Sequence, residues 1–229
     1  MTLTLHLHPL ASFCQKVLVA LYETGIPFTP RLVDLGDRQA SARFLELWPV
    51  GKIPVLEDEA EGRIVPETSI IIEYLEARAP AQRRLLPADE RLRLDARLWD
   101  RFFDMYVQAP MQKIVTDRLR DEGERDAKGV EDARAGLAVA YGMIERQIDG
   151  RQWIIGDEFS LADCAAAPAL FYAGIVAPFE RTHPGVAGYF ERLLRRASFA
   201  RVLAEARPYF HMFPYRNEMP RRFREGEAG

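Results

Sequence analysis

Cysteine is nearly absent: Cys14 and Cys164 are the only two in 229 residues. Two cysteines cannot build the disulfide framework of a small secreted domain, and they fit a reducing compartment. Long apolar runs are also missing. No stretch approaches the roughly 20 apolar residues of a membrane-spanning helix. The opening Met1-Thr-Leu-Thr-Leu-His6 lacks the basic region and apolar core of a secretory signal. Positive charge is not in surplus either. A net charge of −3, from 31 basic against 34 acidic side chains, gives no reason to expect a nucleic-acid partner. The expectation is a cytoplasmic protein with no membrane, nucleic-acid or metal partner. What remains is ordinary globular material, 48% hydrophobic and 28% charged, long enough for one large domain or two small ones.

Along the chain, Leu3, Leu5 and Leu7 alternate with Thr and His and predict a first strand with one apolar face. His8-Pro9 breaks it. Phe13, Val17, Leu18, Ala20 and Leu21 follow at helical spacing, ended by Gly25 and Pro27. Phe28 to Val33 predict a second strand, and Pro30 inside it points to a sheet edge. A helix between two strands favours a parallel pair. Asp34 to Ala40 are a polar loop, and Ser41 to Leu47 a short helix stopped by Trp48-Pro49.

The densest signal lies between Pro49 and Thr68. Val55-Leu56 and Ile64-Val65 are short β-like runs around an acidic turn, Asp58-Glu-Ala-Glu-Gly62. Pro54 opens the first run, and a Lys-Ile-Pro step there is a plausible cis-proline site. Glu67-Thr68 begin an apolar-periodic helix. Its unpaired amides and positive dipole end suit an anion. Lys52 adds a cation, so the stretch suits a peptide carrying both signs of charge. The order β-α-β-α-β-β-α is then complete by residue 80. Beyond a linker at 81–87, residues 88–229 read as helix. The elements include a long segment with a kink near Pro110 and an apolar helix started by the capping-box pattern Ser160-Leu-Ala-Asp163.

This order, with Trp48-Pro49-Val-Gly-Lys-Ile-Pro-Val-Leu56, Glu67-Thr-Ser-Ile-Ile-Ile-Glu-Tyr-Leu75 and Phe159-Ser-Leu-Ala-Asp163, resembles the cytosolic glutathione S-transferases over nearly the whole chain. The resemblance implies an α/β thioredoxin-like N-terminal domain (1–80) that binds glutathione. An all-α C-terminal helical domain (88–229) would carry the second-substrate site. It implies glutathione as co-substrate, a small apolar electrophile as the other partner, and a homodimer. Matched residue by residue, Ile53 beside a cis Pro54 pairs with the cysteinyl backbone. Glu67 and Thr68 take the γ-glutamyl end, and Lys52 and Gln39 fall where the glycyl carboxylate is held.

The thiol-activating group is the open point. The segment is His8-Pro-Leu-Ala-Ser-Phe-Cys14; tyrosine-type members carry a Tyr at the end of the first strand, and Leu5-His-Leu-His8 has none, which disfavours that type. The serine of serine-type members falls nearest Ala11, with Ser12 one residue later. Ser12 is the first candidate, read alternatively as a helix N-cap. Cys14 is the alternative, as in glutaredoxin-like members, or a buried small side chain. Trp99, Phe103 and Tyr106, with Phe102 and the tail aromatics Tyr209, Phe210, Phe213 and Tyr215, are candidates for the electrophile pocket. Conjugation of glutathione to a hydrophobic electrophile is the expected reaction. Isomerisation, peroxide reduction, thiol reduction and a non-catalytic binding or regulatory role are the alternatives.

Overall fold

The computed structural model describes residues 3–225, and the chain divides after Leu85 into two compact units. The first contains β1 (Leu3–Leu7), α1 (Ser12–Thr24), β2 (Thr29–Leu32), α2 (Arg38–Leu47), β3 (Val55–Asp58), β4 (Arg63–Pro66) and α3 (Thr68–Glu76). The sheet order is β2-β1-β3-β4. β1 and β2 are parallel, while β3 is antiparallel to both β1 and β4. β2 lies at an edge, where Pro30 removes no ladder bond from a central strand. Pro54 immediately precedes β3, an inner strand, and the Ile53–Pro54 peptide is cis.

One expectation is corrected in β1. All five of its residues are buried, including Thr4 and His6. An alternating pattern marks a half-buried strand only when one sheet face meets water. Here β1 is inside the sheet, and α2 packs on the face carrying His6. Phe44 of α2 sits with Val33 and Val55 in a small cluster that also gathers Leu47, Trp48, Ile53 and Ile64. A second correction concerns the start of α2. Asp37 caps it, its carboxylate accepting from Ala40 N at 2.7 Å, so the helix begins at Arg38 and takes in Gln39. The stretch read as a polar loop hid a helix start, since Asp caps helices as well as populating loops.

The second unit is helical: α4 (Glu90–Phe102), a π-helical segment (Phe103–Gln108), α5 (Ala109–Asp117), α6 (Ala127–Ile148), α7 (Leu161–Val176), α8 (Pro184–Leu194), α9 (Ala197–Ala206) and α10 (Arg221–Glu225). α4, the π turn and α5 run on without leaving helical backbone. The widening stands just before Pro110, the usual way a helix absorbs a missing N–H. α7 is the centre of this unit: all its residues except Gly174 are buried. Its start is held by the foreseen capping box, with Asp163 accepting from Ser160 N (2.8 Å) and Ser160 Oγ (2.9 Å). Asp163 also accepts from Ile154 N (3.1 Å) and the Tyr189 hydroxyl (2.6 Å), which ties α7 to α8. The tail has more order than its composition suggests. Phe210 stacks on Phe171 (5.9 Å) and Phe213 meets Tyr172 edge-on (5.2 Å).

Candidate functional site

Register brings the candidate residues of the first unit to one end of the sheet. His6 faces Val55 across the β1–β3 ladder, and Val55 faces Pro66 across β3–β4. One step further, the end of β1, the cis Ile53–Pro54 step and Glu67 therefore lie side by side on three neighbouring strands. β2 ends at the same edge as its parallel neighbour β1, and five residues separate its end from the start of α2. In α/β sheets this carboxyl end of the parallel strands is where ligands bind.

Two helix starts converge on that edge. α1 begins after Ala11, and its first helical bond runs from Gln15 N to Ala11 O. α3 begins after Glu67, and its first bond runs from Ile71 N to Glu67 O. The amides before each of these bonds point out of the helix, and each start carries the positive dipole end. Glu67 is the single non-glycine residue with positive φ among the described residues, at φ 68° and ψ 119°. Such backbone is strained for a residue with a Cβ and is commonly kept where function needs it. A lysine that sequence reasoning passed over supports α3 from behind. Lys16 of α1 is buried, and its ammonium donates to Ser69 Oγ at 3.1 Å. Its place in an apolar helical run concealed it.

The remaining candidates fall out as follows. Glu67, Lys52 and Gln39 are exposed, and among the described residues their side chains carry no hydrogen bond or ion pair. Thr68 is buried at the first position of α3. Ser12 is not the N-cap. Ala11 occupies that position with extended backbone, and Ser12 is the first residue of the helix, 7% exposed. Cys14 is completely buried, and desolvation pushes its thiol up to about 12. It is a core side chain, which corrects its reading as a redox thiol, since a reactive cysteine needs exposure and a low pKa. His8 accepts from Leu10 N at 3.2 Å through Nδ1, and burial lowers its pKa.

In the helical unit Tyr106 is 60% exposed, Trp99 is nearly buried, and Phe103 is fully buried. Phe103 is therefore packing and not pocket wall, because the π turn directs it into the core between Phe102 (6.0 Å) and Trp99 (6.2 Å). Phe210 and Phe213 are core for the same reason of burial and do not form a cover. No group of three or more metal-ligating side chains is assembled among the described residues. No helix there is long and apolar enough to cross a membrane.

Comparison with known proteins decides the family. The profile of the glutathione S-transferase N-terminal domain matches residues 5–83, and that of the C-terminal domain matches residues 102–197. A glutathione S-transferase-like protein, LUC7 of Fusarium, is 33% identical over 186 residues, 78% of this chain and 82% of that one. The chain belongs to the glutathione S-transferase family. FtsZ-localized protein A of Caulobacter vibrioides is 31% identical over 215 residues, covering 90% of this chain and 92% of that one. Among solved structures, a glutathione S-transferase from Methylobacillus flagellatus with glutathione bound superposes with a TM-score of 0.80. It is 26% identical and spans 87% of this chain and 98% of its own. The thioredoxin-like first unit and helical second unit are those of the family.

Proposed function

We propose that this glutathione S-transferase family member is a glutathione-dependent transferase that conjugates the tripeptide to a small hydrophobic electrophile. The observation that carries the reading is the sheet edge where Ile53–Pro54, Glu67 and the start of α1 stand side by side with unpartnered charges of both signs around them. Glu67 holds the γ-glutamyl ammonium, while the Thr68 hydroxyl and the α3 amides hold its carboxylate. The Ile53 backbone pairs with the cysteinyl unit. Lys52, in the turn before β3, and Gln39, in the first turn of α2, take the glycyl carboxylate. The α1 N-terminus and the Ser12 hydroxyl favour the thiolate over the thiol, which lowers the sulfur pKa. The sulfur lone pair then forms the S–C bond, and the electrons displaced from the electrophile leave with its departing group or settle on its activated π system. Tyr106 and Trp99 are the aromatic contribution to the electrophile pocket. A homodimer, a cytoplasmic location and the absence of a metal belong to this proposal and rest on family membership.

A second reading, a non-catalytic member of the fold, is favoured by Ala11, which puts no hydroxyl at the α1 cap. Thermal unfolding with millimolar glutathione separates binding from its absence, since a ligand of the native state alone raises the midpoint by mass action. No shift with either reduced or oxidised glutathione would sink both the site and the enzyme. If binding is found, turnover of a generic aromatic electrophile decides between conjugation and binding alone, and light scattering decides the dimer.

A further inference from the structure

The sheet face under α2 carries more polar chemistry than packing requires. Cross-strand pairing puts Arg31, His6 and Val55 in one row and Glu57 in the next, all on the side that α2 covers. α2 buries only Phe44 fully against it. The incomplete cover leaves a cavity of about 550 Å³, bounded by His6 and Glu57 on the sheet, Arg31 and Leu32 on the edge strand, and Arg43, Glu46 and Leu47 on α2. That volume falls in the range of small-molecule sites, about 300–1,000 Å³.

His6 has a side chain only 8% exposed and gives Nε2 to Glu57 at 2.9 Å. Among the described residues its Nδ1 has no partner, and neither Arg31 nor Arg43 has an acidic one. Two free guanidinium groups from opposite walls match a carboxylate, which they can grip with paired N–H donors. Leu47, packed beside Phe44 on α2, offers an apolar flank for a flat ring. With Nε2–H donated to Glu57, Nδ1 is left as an acceptor for a hydroxyl on that ring. A neutral His6 does not cancel the Glu57 carboxylate, so Glu57 and Glu46 both oppose a bound anion, and Glu46 is the one that the hydrogen bond to His6 does not hold. We infer that this cavity is a second ligand site, for a hydroxylated aromatic carboxylate. It lies on the opposite sheet face from α1 and α3 and does not rest on the glutathione reading.

Fluorescence titration of the full chain with 6-hydroxy-2-naphthoate tests this. Saturable binding is expected, weakened at least about tenfold in the Arg31→Ala/Arg43→Ala double variant. Glu46→Gln should tighten it about threefold, a gain that a folding defect cannot mimic. Saturating S-hexylglutathione should leave the naphthoate bound. Equal affinity in the double variant, displacement by S-hexylglutathione, or no binding up to about 1 mM would each overturn the site.

Discussion

Glu67 carries two separable physical roles, and replacing it by Ala and by Gly pulls them apart. Both substitutions remove the carboxylate proposed to hold the γ-glutamyl ammonium. A charge-assisted hydrogen bond of that kind contributes about 1.5–3 kcal/mol, so glutathione affinity should fall roughly ten- to a hundredfold in both variants. The two differ in backbone. At φ 68° and ψ 119° a Cβ is strained by about 1–3 kcal/mol, and alanine keeps that strain whereas glycine relieves most of it. Against this, glycine loses about 0.5–1 kcal/mol more than alanine through the freedom of its unfolded chain. The balance favours Glu67→Gly over Glu67→Ala by about 1 kcal/mol, or about 2–4 °C in midpoint for a chain of this size.

Calorimetric titration with glutathione and thermal melts of the ligand-free variants read the two effects independently. If Glu67→Ala melts at or above Glu67→Gly, the strained-backbone account is wrong, whatever happens to binding. If both variants bind glutathione like the parent, the carboxylate does not hold the ammonium. A loss of affinity in Glu67→Ala alone would clear the carboxylate, because Glu67→Gly lacks it as well.

Three further outcomes follow from particular residues. With both cysteines buried and burial pushing the Cys14 thiol up to about 12, iodoacetamide should label neither cysteine until the protein is unfolded, and rapid native labelling by mass spectrometry would refute the core assignment. Asp163→Ala strips the acceptor from four donors, one of them the Tyr189 hydroxyl at 2.6 Å, and should cost about 3–5 kcal/mol in denaturant unfolding; a loss below about 1 kcal/mol would show that water replaces it. Ala11→Ser supplies the side-chain cap that α1 lacks and should stabilise by about 0.5–2 kcal/mol, with an unchanged or lower melting midpoint counting against Ala11 as the cap.

The order of elements was readable because each carried its own punctuation. Gly25 closes α1 with left-handed backbone, φ 72°, and Pro30 keeps β2 at the edge. The Ser160–Asp163 pair announces α7. The proposed binding edge has a clear sequence signal for a related reason: it is built from one contiguous stretch, 49–68, whose proline, cation and helix start sit at fixed local spacing. What sequence reasoning missed are features made by distant elements meeting. Period-two alternation in β1 identifies the leucine face correctly, but it cannot say whether the other face meets water or a helix. α2 covers that face, so His6 and Thr4 are buried, and the cavity beside them exists only through this three-part contact. The aromatic residues show the same limit. Phe103 and Tyr106 are three apart at helical spacing, yet one is in the core and the other exposed, because a π turn rotates the helix between them.

The start of α1 shows why the chemistry is harder to read than the ligand. Sequence rules look for a hydroxyl or short carboxylate at a helix cap, and Ser12 is the nearest match. The chain instead fixes the start by backbone. Ala11 N bonds to His8 O at 3.0 Å, and Leu10 N bonds to His8 Nδ1, so the turn after β1 closes at residue 11. Ala11 is extended at φ −76° and ψ 119°, and helical geometry begins with Ser12. The hydroxyl is thereby carried onto the helix, largely out of solvent, while the cap position has only a methyl group and no side-chain hydrogen bond. Placing a sulfur at the sheet edge leaves two distinct donors to favour its thiolate, the α1 amides and the Ser12 hydroxyl. They make opposite demands on mutation. If the amides suffice, Ser12→Ala keeps turnover and Ala11→Ser raises it by adding a donor at the cap. If Ser12 is the activating group, Ser12→Ala lowers turnover at nearly constant glutathione affinity, and a hydroxyl at residue 11 restores it.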